Sequence, residues 1–135
     1  MTVKDLMMHE VVTIDPGALI FDAVLKMHKH HVRHLPVVDL GRLVGILSNR
    51  DIRFLATEIT EESRQQGNYS LSLNNKVYEV MITDPVITSE DVPLAEIVDV
   101  FLEEKVGAIP VVDDQDHLVG MIGYIDLLKV LRDRL

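Results

Sequence analysis

Pro36-Val37-Val38-Asp39 and Pro110-Val111-Val112-Asp113 are the same four residues, 74 positions apart. At the same offset Val3 falls on Val77, Met7 on Met81, Val12 on Val86, Val24 on Val98 and Val32 on Val106. One extra residue in the next turn raises the offset to 75. Leu43-Val44-Gly45 then falls on Leu118-Val119-Gly120, and Asp51 on Asp126. Self-similarity at a fixed offset marks a duplicated structural unit. The two copies occupy residues 1–56 and 76–135, with a linker over residues 57–75.

Both copies have the same grammar. A short extended piece comes first (residues 11–14 and 86–88). An amphipathic helix follows, with Ile20, Ala23, Val24 and Met27 on one face of the first copy. Leu94, Ile97, Val98, Phe101 and Leu102 do the same in the second, at helical spacing. Two β-branched runs separated by a polar turn predict a hairpin, over residues 36–39 with 43–47 and 110–113 with 118–122. A last helix is expected over residues 50–56 and 125–134. The class is mixed α/β (α+β), built from two β-α-β-β-α repeats. One such repeat buries little apolar surface alone and would be marginal. The expected arrangement is therefore two repeats packed sheet-to-sheet with pseudo-twofold symmetry and a cleft where they meet. The linker reads as a frayed helical extension running into a loop, either a solvated connector or a lid or oligomer contact.

Composition narrows the function. There are 135 residues and no cysteine, so disulfides, thiolate zinc sites and cysteine nucleophiles are excluded together. The net charge is −9 and tryptophan is absent, a poor basis for binding a nucleic-acid backbone or stacking bases. No apolar run approaches the roughly 18 residues of a membrane span. The opening residues lack a secretory pattern, so no membrane partner and a cytoplasmic location are expected. Charge is uneven. Up to Ala56 there are 7 Lys/Arg and 6 Asp/Glu, and from Thr57 onward 6 and 16. A small polyanion would find the first half friendlier. No nucleophile elbow, phosphate-binding P-loop or dinucleotide fingerprint is present, so no catalytic residues and no catalytic cofactor are assigned.

The stretches Val32-Arg33-His34-Leu35-Pro36-Val37-Val38-Asp39 and Leu43-Val44-Gly45-Ile46-Leu47-Ser48-Asn49-Arg50-Asp51 resemble a CBS domain (cystathionine-β-synthase-type domain). Gly107-Ala108-Ile109-Pro110-Val111-Val112-Asp113 and Leu118-Val119-Gly120-Met121-Ile122-Gly123-Tyr124-Ile125-Asp126 resemble it again. The openings Asp5-Leu6-Met7 and Glu79-Val80-Met81 fit the family's usual start. The resemblance implies a tandem pair, a Bateman module. Such a pair is a regulatory unit that binds AMP, ADP, ATP or S-adenosylmethionine, is often a homodimer, and acts on a protein that the sequence does not identify. Nothing is fused to the two copies here, so a stand-alone pair is expected.

The family's ligand motif is Gly, two apolar residues, Ser or Thr, two residues, Asp. Gly45, Ile46, Ser48, Asn49, Arg50 and Asp51 fit it. The chemistry is sound on its own terms. Ser48 sits where a strand gives way to a helix, whose first amides are unpaired and attract anions. Asp51 can accept from a ribose diol. Arg33 is a candidate phosphate contact, with His34 beside it assisting or simply packing. Ile14 and Ile46 could flank an adenine. Ser-x-x-Asp before a helix also resembles a capping box, so ligand contact and capping both stand.

The second copy departs from the motif. Gly123 replaces the hydroxyl residue, and Gly107 and Ala108 replace Arg33 and His34. Thr88, Ala108, Tyr124 and Asp126 are left as a weaker second site, empty or suited to a less charged ligand. His28, His30, His31 and His34 include helical pairs, but no carboxylate ligand pattern accompanies them, so no metal site is assigned. The alternatives to an adenosine sensor are a nucleotide-independent dimerisation or interaction module and, more remotely, a metal-responsive protein.

Overall fold

The computed structural model describes residues 1–57 and 71–135. Its elements are α1 (Val3–Leu6), α2 (Ile20–His30), β1 (His34–Asp39), β2 (Arg42–Ser48), α3 (Asn49–Thr57), α4 (Leu71–Asn74), α5 (Val77–Val80), α6 (Leu94–Glu104), β3 (Ala108–Val112), β4 (Leu118–Gly123) and α7 (Tyr124–Asp133). They form a mixed fold with two small two-stranded sheets. The reading of the linker falls mainly on residues 58–70, which lie outside the described residues.

The contacts define two units. An amino-terminal unit takes Val12–Leu40 and Val44–Asp84, and a carboxy-terminal unit takes Met1–Val11, Gly41–Leu43 and Pro85–Leu135. Each unit therefore contains the leading segment of the other copy.

In the first copy, β1 and β2 are joined through Leu40 and Gly41, with φ of 51° and 82°. Positive φ at both central residues is the two-residue turn whose twist suits a hairpin. The expected leading strand is only one bridge long. The Ile14 amide donates to the Pro36 carbonyl (3.1 Å), and the Val38 amide donates to Ile14 (3.0 Å). On the outer edge of β2, Ile46 and Ile82 exchange both amide bonds, at 3.0 and 2.9 Å. This pattern explains a proline inside a strand. The amide that Pro36 lacks would face the single-residue bridge, so the hairpin ladder loses no bond.

Helix α2 covers this sheet because its apolar residues fall on one stripe. Ile20, Ala23 and Met27 are buried with Ile14, Leu35, Val37, Leu47 and Val77. The carboxylate of Asp22 accepts the Leu19 amide (3.1 Å) and caps the helix start. His31, in the left-handed conformation at φ 55°, ends it.

The carboxy-terminal unit repeats the plan. β3 and β4 pair antiparallel, with Ala108 opposite Gly123 and Pro110 opposite Met121. Thr88 bridges Pro110 and Val112 at 3.0 and 2.9 Å, and Met8 bridges Met121 at 2.8 and 3.0 Å. The core joins Val3, Met7, Ile97, Phe101, Ile109, Val111 and Ile122. Full burial of one such side chain contributes about 1.5–3 kcal/mol. Val98 and Leu102, expected on the buried stripe of α6, are instead exposed. Val100 packs partly against the core. The apolar stripe of α6 is wider than the face its sheet can cover.

The helices α1 and α5 are not expected from periodicity, because at four residues each they are too short to show a period. Their burial explains two glycines. A Cβ on Gly45 would lie 2.6 Å from Met81 Sδ and 2.8 Å from the Ile82 carbonyl. A Cβ on Gly120 would meet Met7 Sδ at 2.6 Å and the Met8 carbonyl at 2.8 Å. In both units the leading segment crosses β2 or β4 so closely that only glycine fits beneath it.

Candidate functional site

β2 ends at Ser48 and α3 begins at Asn49, so the corner exposes the first turn of a helix. Asp51 in that turn folds back. Its Oδ2 accepts the Ser48 amide at 3.0 Å and the Ser48 hydroxyl at 2.8 Å. The Asp51 amide donates to Ser48 Oγ at 3.1 Å. This is a reciprocal capping box with aspartate in the place usually held by Glu or Gln. The Asn49 amide donates to the Arg33 carbonyl (2.8 Å), tying the entry of β1 to the start of α3. Asp51 Oδ1 takes part in none of the hydrogen bonds among the described residues, which leaves one carboxylate oxygen for a hydroxyl donor.

The sequence-predicted residues divide into two groups. Ser48, Asn49, Asp51 and the Arg33 backbone come together at this corner through the contacts just given, and His34 follows Arg33 at the start of β1. Arg33 and Arg50 are exposed, while His34, Ser48, Asn49 and Asp51 are half-buried. Ile14 lies in the core cluster, whereas Ile46 is buried outside it, paired with Ile82. Gly45 is buried under Met81 and Ile82, which gives it a packing role independent of any ligand. Burial pushes the His34 imidazole below its ordinary proton affinity. The Asp51 carboxylate pulls the other way, and Arg33 adds to the lowering.

The second corner keeps the backbone and loses the side chains. The Gly123 amide donates to Asp126 Oδ2 at 3.1 Å, and the Tyr124 amide donates to the Gly107 carbonyl at 3.3 Å. These repeat the Ser48–Asp51 and Asn49–Arg33 bonds. Ala108 is half-buried, Tyr124 is exposed, and Thr88 is buried with its backbone in the sheet. No hydroxyl and no cation stand in the places of Ser48, Arg33 and His34.

An acid at the third helical position that caps the helix start is a general device in this chain. Asp5 accepts the Thr2 amide at 2.8 Å, and Glu79 accepts the Lys76 amide at 2.9 Å. The backbone bond from Thr2 holds the exposed Asp5 carboxyl below its usual range. The capping geometry of Asp51 is thus shared with helices that carry no ligand motif. One further side-chain bond lies in the segment that leads into Ile14. Lys26 Nζ donates to the Thr13 carbonyl at 2.6 Å, pinning the segment that leads into Ile14. The second copy has Val100 there, and no sequence pattern marks the lysine. His28 and His30 lie exposed on the last turn of α2, and His31 is its cap. Among the described residues no three His, Cys, Asp or Glu side chains are grouped to hold a metal ion. No described helix is long and apolar enough to cross a membrane.

The chain matches the CBS domain family over residues 3–58 and 77–133. It is 32% identical over 128 residues to an uncharacterized protein of Methanocaldococcus jannaschii, MJ1225, covering 94% of this chain and 46% of that one. The crystal structure of MJ1225 superposes with a TM-score of 0.89 at 30% identity, over 96% of this chain and 47% of the other. A CBS domain-containing protein of Dictyostelium discoideum is 33% identical over 132 residues, covering 96% of this chain and 90% of its own. The chain thus spans about half of MJ1225 and most of the second relative. The CBS domain pair of protein MJ0100, solved in complex with 5′-methylthioadenosine and S-adenosyl-L-methionine, superposes with a TM-score of 0.81 at 25% identity. That match covers 100% of this chain and 98% of the other.

Proposed function

The chain belongs to the CBS domain family as a tandem pair, and from that premise we propose that it is a regulatory module binding an adenosine-containing ligand at the Ser48 corner. The observation that carries this is the preorganised Ser48–Asp51 pair at the start of α3, with hydroxyl and carboxylate 2.8 Å apart. In this reading the second oxygen of Asp51 accepts from a ribose hydroxyl. The Arg50 amide and Arg33 meet a phosphate, where the helix dipole favours negative charge, and the Ser48 hydroxyl joins them by turning from Asp51. The adenosine ligands held by the MJ0100 pair support this ligand class. AMP, ADP or ATP suits the cationic first corner. The Gly123 corner, lacking those cations, suits a less charged ligand such as S-adenosylmethionine. Binding acts on a regulated protein, or on a second copy of this chain, through a difference in ligand affinity between two states. A second copy would cover the apolar cavity of about 430 Å³ lined by Leu94, Val98, Leu127 and Leu131.

A second reading has its own observation. Ser48 and Asp51 satisfy each other in a capping box, and other helices of the chain are capped the same way. On that reading the protein is an interaction module without ligand control. A thermal-shift titration with AMP, ADP, ATP and S-adenosylmethionine separates the two. A bound ligand at 100 times its Kd stabilises the fold by about 2.7 kcal/mol, a clear rise in Tm. A flat response to all four leaves only the interaction module.

A further inference from the structure

His34 opens β1, half-buried, at the corner where Ser48, Asp51 and the Arg33 backbone meet. In the other copy Ala108 stands opposite Gly123. The repeat therefore puts His34 across the hairpin from Ser48, whose hydroxyl is bound to Asp51. Among the described residues no hydrogen bond or ion pair holds the His34 ring. The charged groups that act on it are Asp51 on α3 and Arg33 on its own segment. The end of β2 contributes only the uncharged Ser48.

We propose that His34 sets the ligand preference of the first corner. Its ring takes up a proton when a phosphorylated adenosine binds, so acidification favours phosphorylated over uncharged adenosine ligands. This rests on the Ser48 corner being the ligand site. Burial and Arg33 keep the proton off the empty imidazole, and Asp51 alone opposes them. A phosphate added to this group supplies a second opposing charge, which favours the imidazolium. By reciprocity a proton that ligand binding draws in must in turn tighten ligand binding. Arg33 is always charged and cannot supply this dependence. The second copy, with Ala108, has no group to supply it.

Calorimetry on the full chain tests this, with AMP as the phosphorylated probe and 5′-methylthioadenosine as the uncharged one, between about pH 5.5 and pH 8. The expected result is that AMP binding by the wild type gains on that by His34→Asn as pH falls, by up to about tenfold per pH unit. Heats in buffers of different ionisation enthalpy then show more proton uptake by the wild type than by the variant. Methylthioadenosine binding stays flat in both proteins. The AMP phosphate titrates in the same range. That effect is common to both proteins, so the difference in slope belongs to His34. His34→Ala is the harsher variant, and His34→Asn keeps a flat polar side chain in case the alanine does not fold. Parallel AMP slopes in wild type and variant overturn the proposal while the adenosine-binding reading stands. Failure of both probes to bind the wild type removes the two together.

Discussion

At the Ser48 corner a carboxylate receives an amide and a hydroxyl, and at the Gly123 corner the equivalent carboxylate receives an amide alone. The backbone is otherwise the same. Each helix start donates to the carbonyl that precedes the opposite strand, at 2.8 Å from Asn49 and 3.3 Å from Tyr124. Each central strand carries a glycine under a methionine and a carbonyl at matching distances. Duplication has thus preserved these backbone bonds and the two glycines, and the corners differ in the side chains a ligand would touch. Stability and recognition occupy different atoms of one motif, so they can be perturbed separately.

The glycines test the shared part and carry the largest expected effect. Gly45→Ala places its methyl group 2.6 Å from Met81 Sδ and 2.8 Å from a backbone carbonyl, and Gly120→Ala meets the same obstacles from Met7 and Met8. The thioether can shift, but the carbonyl is held in a bridge. Overpacking of this kind costs about 1–3 kcal/mol. Chemical denaturation should show similar losses for the two variants. A large loss for one and none for the other would break the equivalence of the two units.

The carboxylates test where the copies begin to differ. Asp51→Ala removes the acceptor of two hydrogen bonds, and Asp126→Ala the acceptor of one. At about 0.5–1.5 kcal/mol for each net bond, Asp51→Ala should be the more destabilising, by about the worth of one bond. Asp51→Ala should also abolish any thermal response to AMP, while Asp126→Ala leaves it. Equal effects on both readouts would mean that the hydroxyl and the cations of the first corner add nothing.

Much of this was legible in the sequence, for reasons that also mark where legibility stopped. The hairpins and the longer helices announced themselves through period and turn residues, and β1, β2, α3 and α7 lie within two residues of the expected spans. Val98 and Leu102 misled because an apolar stripe records what a helix offers, not what its neighbours cover. The helices α1 and α5 are too short to carry a period. Their burial against β4 and β2 depends on contacts some 40 to 115 residues away in sequence. No local pattern in Met7 or Met81 encodes such a contact, although their match across the repeat hinted at a shared task. Leu40 was unreadable as a turn residue, since a leucine at φ 51° is held there by the hairpin and not by its own preference. At the corner the residues were legible and their division of labour was not. Capping and ligand contact ask for the same hydroxyl and carboxylate at the same spacing, and sequence cannot separate two uses of one geometry.

The smallest expected effect comes from giving the second corner what it lacks. Gly123→Ser is sterically easy. A Cβ there would have Asp126 Oδ2 at 3.6 Å and the Gly107 carbonyl at 3.7 Å, ordinary contacts. The backbone, at φ −111° and ψ 155°, suits any residue that starts a helix. The new hydroxyl can donate to Asp126 and accept the Asp126 amide, completing the box seen at Ser48. Serine exceeds glycine at this position by only a few tenths of a kcal/mol, so Tm should rise slightly. AMP binding at the second corner should not follow, because Gly107 and Ala108 still stand where Arg33 and His34 stand in the first. If titration of Gly123→Ser showed a second AMP site matching the first, the hydroxyl alone would be the determinant. The cations at the first corner would then have no part in recognition.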